Sequence, residues 1–117
     1  MLSNNIKRFM NNRMTIYRRS RTKDDAGGVK TDWVKNSWNV ACRIYKMPGS
    51  GQTIEIDGED YSVTMKLMCG MEVDIEEKDK IIDEITESVY MVVRIYPVYG
   101  MKTQSHTECH LSRIGTI

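Results

Sequence analysis

The sequence predicts an all-β domain, a small six-stranded sandwich or barrel with a short helix ahead of it. Three observations carry this. Apolar residues alternate with polar ones in several short runs, the runs are separated by polar turns at roughly 8 to 12 residues, and one connection between them is long. At 117 residues the chain makes one domain, 1–117, with 40% hydrophobic and 28% charged residues and only two prolines. That composition excludes low-complexity and collagen-like chains and describes a folded protein.

The elements follow in order. Leu2, Ile6, Phe9 and Met10 are spaced as on one face of a short helix, with Ser3 as its cap, so residues 1–12 read as a helical lead. Residues 13–20 read as a strand with Met14 and Ile16 inward, and Asp24 to Gly28 as a turn. Val29 to Trp33 is a ragged return strand. Trp38, Val40, Cys42 and Ile44 then alternate with Asn39, Ala41, Arg43 and Tyr45, and Tyr61 to Cys69 forms a further strand with Val63, Leu67 and Cys69 on one face. Between them lies the long loop 47–60. Lys80 to Asp83 is a short strand, and Val89, Met91, Val93 and Ile95 alternate with Tyr90, Val92, Arg94 and Tyr96 on the next, which Pro97 ends or edges. The last strand, about Ser105 to Arg113, turns Thr107, Cys109 and Leu111 inward.

Charge is unevenly spread. Residues 1–23 hold seven basic residues and no acidic one, leaving ten basic against sixteen acidic in the remainder. Eight of those acids fall between Glu72 and Glu87. If folding keeps the two regions apart, Arg13, Arg18, Arg19 and Arg21 of one subunit meet Glu72, Asp74, Glu76 and Glu77 of the next in a head-to-tail ring. If it does not, the groups pair within one subunit or are solvated. Tyr96, Tyr99, Met68 and Met101 are further surface candidates.

Chemistry finds little support. There is no Gly-x-Ser-x-Gly, Walker, His-Glu-x-x-His or Cys-x-x-Cys pattern. Cys109 and His110, as strand neighbours, point to opposite faces. His106, Glu108 and His110 share a face, but the two histidines stand roughly 13 Å apart at strand rise, too far for one metal ion. No cofactor and no metal are expected, and no enzyme. Cys42, Cys69 and Cys109, an odd count at wide spacing, read as reduced core residues. With neither a membrane-length apolar run nor a signal-like start, the chain is expected to stay in the cytoplasm where it is made, with no membrane partner.

Read in order, Arg13-Met14-Thr15-Ile16-Tyr17-Arg18-Arg19, Asp25-Ala26-Gly27-Gly28-Val29, Trp33, Trp38-Asn39-Val40-Ala41-Cys42-Arg43-Ile44, the loop Pro48-Gly49-Ser50-Gly51, Asp79-Lys80-Ile81-Ile82-Asp83 and Tyr90-Met91-Val92-Val93 resemble the head-tail joining, or head completion (stopper), family of tailed bacteriophages. The sequence departs from that pattern at Glu84-Ile85-Thr86-Glu87, where the family has a glycine turn. The resemblance implies a virion protein of the neck, assembled in the bacterial cytoplasm as a ring of six or twelve copies. The ring would sit between a portal-adaptor protein and a tail-completion or terminator protein, with transient contact to packaged double-stranded DNA. It also implies that the long loop, Pro48, Gly49, Ser50, Gly51, Gln52, Thr53, Ile54, Glu55, Ile56, Asp57 and Gly58, gates the channel. Thr53 to Ile56 would pair with their copies as a plug. The alternatives are another neck or tail component, an adaptor or terminator, which would not need the loop, and a nucleic-acid-binding barrel using the basic amino end.

Overall fold

A computed structural model describes residues 10–23, 26–47, 49, 51–100 and 104–116. Eight strands account for most of them: β1 Asn12–Lys23, β2 Val29–Lys46, β3 Gln52–Ile56, β4 Glu59–Val63, β5 Met65–Cys69, β6 Lys80–Asp83, β7 Ser88–Tyr99 and β8 Gln104–Thr116. Six close into an antiparallel barrel in the order β1-β2-β5-β8-β7-β6, and β3 pairs with β4 as a separate hairpin. Closure leaves the barrel without an edge strand, removing the unpaired backbone that invites aggregation. Of the expected helical lead, residues 1–9 lie outside the described residues. Met10 and Asn11 have no regular structure, and Asn12 already begins β1.

The interior is filled by alternate residues of all six strands. Met14, Ile16, Cys42, Leu67, Cys69, Ile81, Tyr90, Val92, Cys109 and Leu111 form one buried cluster. All three cysteines are free and buried. Burial, with the nearby Cys69 thiol, pushes Cys42 up to about 12, so it stays a protonated, inert thiol at neutral pH.

Several strands differ from the sequence pattern for identifiable reasons. β2 is one strand of 18 residues rather than two, because β1 pairs along its full length from Asn12↔Cys42 to Lys23↔Val29. β2 carries extra residues where Val40 pairs with Met14 but Ser37 pairs with Ile16, and again before Lys35. Asn39 takes up the first bulge at φ 52°, and a bulge reverses which residues face in. Trp38, which the alternation puts on one face with Val40 and Cys42, is therefore turned away from them and 68% exposed.

The same effect acts on β7. Val92 pairs with Leu111 and Arg94 with His110, which leaves Val93 as an extra residue. Tyr90 and Val92 face the core and Ile95 rejoins it beyond the bulge, whereas Met91 and Val93 face outward under the β3–β4 hairpin. Pro97 does not end the strand, which runs on through Pro97↔Thr107 to Tyr99. Tyr61 to Cys69, read as one strand, breaks at Thr64 into β4 and β5, which belong to different sheets.

The turn Glu84 to Glu87 closes without glycine. Glu87 takes φ 61°, and the buried Asp83 carboxylate accepts the amides of Ile85 at 3.0 Å and Thr86 at 3.4 Å. Glu84 accepts the Thr15 hydroxyl at 2.6 Å and the amide of the bulged Asn39 at 3.1 Å. One acidic turn thus satisfies backbone donors on two elements that a glycine turn would leave to water.

Candidate functional site: the hairpin and the charged faces

The expected loop is a built hairpin. Gln52 to Ile56 pair with Glu59 to Val63 in register, joined by the turn Asp57-Gly58. Asp57 at φ 53° and Gly58 at φ 81° give the positive angles a two-residue hairpin turn requires. Gly51, at φ 83°, is close enough to β4 that a Cβ there would meet the Val63 carbonyl at 2.6 Å. At the base, the Met47 amide donates to the Thr64 carbonyl at 2.8 Å. Thr53 to Ile56 thus pair along one edge with Glu59 to Ser62 of the same chain. Pro48 and Ser50 lie outside the described residues.

One face of the hairpin packs on the outside of the barrel. Met47, Val63 and Val93 are buried together, with Ile54, Ile56, Tyr61 and Met91 packed against them. The other face carries the exposed acids Glu55 and Asp60, Glu59 stands exposed at the rim of the docked face beside Ile56 and Tyr61, and Asp57 lies at the tip. Asp57 pairs with Lys78 of the loop before β6, which holds the Asp57 carboxyl below its usual range. Lys78 has φ 71°, and its amide donates to the Val92 carbonyl at 2.7 Å. A cleft of about 180 Å³, lined by Arg19, Trp33, Ile56, Asp57, Tyr61 and Met91 among others, separates the hairpin from β1 and β2.

β1 and β2 pair well beyond β6, which meets β1 only at Met14 to Tyr17. The extension is a two-stranded ribbon, and the molecule measures 52 × 30 × 30 Å. At its base, Arg18 donates to both carboxylate oxygens of Asp79 at 3.2 and 3.0 Å and to both of Asp74 at 3.0 and 3.2 Å. Glu76 stands 3.4 Å away. The bond to Asp79 leads in raising the Arg18 pKa, so Arg18 is permanently charged, and Arg18 in turn holds Asp74 below the usual carboxylate range. Asp79 is 3% exposed at its side chain, and it also accepts the Glu76 amide at 2.9 Å. Lys80 lies between the Tyr17 and Trp33 rings, 5.2 and 4.8 Å from their centroids.

The eight charged residues expected at a subunit contact fall into two groups within one chain. Arg13 and Glu72 line one cavity beside Met10 and Val40. Arg18, Arg19, Arg21, Glu76 and Glu77 line another, and Asp74 is bound to Arg18. The basic strand and the acidic segment therefore meet inside the subunit around Arg18.

A second charged surface is invisible in sequence because four strands build it. Across the outer wall, Tyr45 of β2 lies beside Lys66 of β5, Lys66 beside His110 of β8, and His110 beside Arg94 of β7. The next row is Arg43, Met68, Glu108 and Tyr96. Arg43 sits over the Tyr45 ring at 5.4 Å, and Tyr96 packs on His110 with centroids 4.7 Å apart. Burial, then Lys66, lowers the His110 pKa, so its ring is neutral at pH 7. His106 lies 3.5 Å from Glu108. Among the described residues no group of His, Cys, Asp or Glu is placed to hold a metal. Met101 lies outside the described residues, and Tyr99 is 65% exposed.

The geometry is that of an edge-free barrel that carries a docked hairpin, a charged ribbon and a cationic, aromatic outer wall. The profile of the phage head completion protein family matches residues 8–112, and the chain belongs to that family. A structure of the phage-like element PBSX protein xkdH from Bacillus subtilis shares the fold, with a TM-score of 0.52 at 19% identity, over 87% of this chain and 92% of that one. Among curated proteins, none gives a significant match. The chain is accordingly a structural phage protein of the head completion family.

Proposed function

We propose that this chain is one subunit of a ring in the phage neck, that it joins the head to the tail, and that it acts by assembly rather than catalysis. Its neighbours along the particle axis are a portal-adaptor ring and a tail-completion protein, and the ring closes the DNA channel after packaging. The observation that carries the closing role is the hairpin 47–63, set on a closed barrel by a three-residue buried cluster and otherwise independent of the barrel's core. Five-residue strands give it a reach of roughly 17 Å. Its exposed acids, Glu55, Glu59 and Asp60, repel phosphate, so DNA passes the open hairpin without adhering.

The test is imaging of particles by negative stain. Without this protein, heads fill but lose DNA and carry no tails. With the hairpin shortened between Gly51 and Ser62, tails attach while DNA retention falls. Intact tailed particles in the deletion would contradict the joining role, and full retention of DNA with the shortened hairpin would contradict the closing role.

A further inference from the structure

The loop before β6 ties the ribbon, the barrel and the hairpin together at two adjacent residues. Asp79, nearly fully buried, accepts the Arg18 guanidinium of the ribbon base at 3.2 and 3.0 Å. Its backbone is joined to β7, because the Val92 amide donates to the Asp79 carbonyl at 2.9 Å and the Lys78 amide to the Val92 carbonyl at 2.7 Å. The Lys78 side chain pairs with Asp57 at the hairpin tip.

This stretch is held in a conformation it would not take alone. Lys78 has φ 71°, in a region that a residue with a side chain enters only when its surroundings impose it. The Asp79 carboxylate also accepts the Glu76 amide at 2.9 Å, and the Glu76 carbonyl accepts the Asp79 amide at 3.2 Å. Arg18 grips the same loop a second time through both oxygens of Asp74, whose carboxylate also accepts the Asn36 side chain of β2 at 3.4 Å. The cation is what keeps Asp79 in place. A buried carboxylate that loses its partner is driven toward water, and moving Asp79 moves the neighbouring Lys78.

We infer that Arg18 is a positioning residue for the hairpin: by fixing Asp79 it aims Lys78 at Asp57, so that the hold on the hairpin tip is set at the base of the ribbon. This rests on the closing role proposed above and names the contact that controls it. The route runs through the backbone of two adjacent residues and ends on the hairpin at a single ion pair.

Hydrogen exchange on the full-length free subunit tests it. A hairpin released from the barrel is marginal in water and loses amide protection, whereas a loss of global stability alone does not move amides that exchange by local opening. Asp57→Asn removes the ion pair yet keeps a residue that accepts the positive φ of the turn, and should speed exchange at residues 52–63 about two- to five-fold. Arg18→Gln should reach the same range, with Arg18→Lys between it and the wild type. The variant carrying both Arg18→Gln and Asp57→Asn should be no faster than the faster of the two, since each breaks the same route. Arg21→Gln removes another cation lining the same cavity and should leave the hairpin at the wild-type rate. Hairpin exchange unchanged by Arg18→Gln while the barrel strands lose stability would give Arg18 a purely structural role and overturn the inference. Multiplied effects in the double variant, or an equal effect of Arg21→Gln, would overturn it too. Should Arg18→Gln fail to fold, Asp74→Asn takes its place and must still raise hairpin exchange above the wild-type rate. The closing role is judged separately: full retention of DNA with the shortened hairpin defeats that role, whereas the exchange rates decide the part played by Arg18.

Discussion

The barrel and the hairpin are held by clusters of very different size. Ten buried residues drawn from every strand fill the barrel, whose ladder has no open edge. Three buried residues and the Lys78–Asp57 pair fix the hairpin to the outside. A two-stranded hairpin is marginal alone in water, so its docking is a small free-energy difference and the barrel's integrity is a large one. The proposed division of labour follows: the barrel is the stable body, and the hairpin is expected to open without unfolding it.

Four changes sharpen or break that contrast. Leu67→Ala removes a fully buried side chain from the barrel and is expected to cost ~2–5 kcal/mol of global stability. In urea unfolding, barrel and hairpin signals should fall together. Arg18→Ala leaves the buried Asp79 carboxylate without its cation and should cost about 2–3 kcal/mol. Arg18→Lys should restore only part of this, since an ammonium cannot make the paired bonds to Asp79 and Asp74. Val63→Ala trims the small cluster and should weaken hairpin docking by about 1–2 kcal/mol. Its signature is faster amide exchange at residues 52–63 with barrel amides unchanged; equal acceleration in both regions would contradict separability.

The smallest effect concerns pH. Arg18 lowers the Asp74 pKa below its ordinary value of 3.8. The stability from that pair is fully present above the ordinary value and is lost as pH falls through the depressed one. Urea midpoints should therefore drop as pH falls below about 4, and the drop should be shallower in Asp74→Asn. An identical slope in that variant would remove Asp74 from the account.

Much of the barrel was legible from alternation. Met14 and Ile16, Cys42, Leu67, Cys69, Cys109 and Leu111 face the core as the period of two predicts, and Lys80–Asp83 is the short strand expected. The misses share a cause. A bulge inserts one residue and reverses facing for everything beyond it, and neither Asn39 nor Val93 announces one in sequence. The unbroken apolar run Val89 to Val93 was the available signal, since a strand covered on both faces does not alternate. The loop was located by its length, whereas its Asp57-Gly58 hairpin turn emerged only from the fold, and its docking depends on Met91 and Val93, about thirty residues away. The cationic wall was hidden for the same reason: Arg43, Lys66 and Arg94 are distant in sequence, and only cross-strand register puts them side by side. Conversely, the basic run around Arg18 looked like a free surface until the fold brought Asp74 and Asp79 to it.

The most direct test of the account is native-state hydrogen exchange on the wild-type chain. Amides of residues 52–63 should open with a free energy well below that of β5, β7 and β8, and their opening should be insensitive to low urea because little surface is exposed. Protection of the hairpin equal to that of the barrel strands, lost in the same global transition, would show one cooperative unit and contradict a separately moving hairpin.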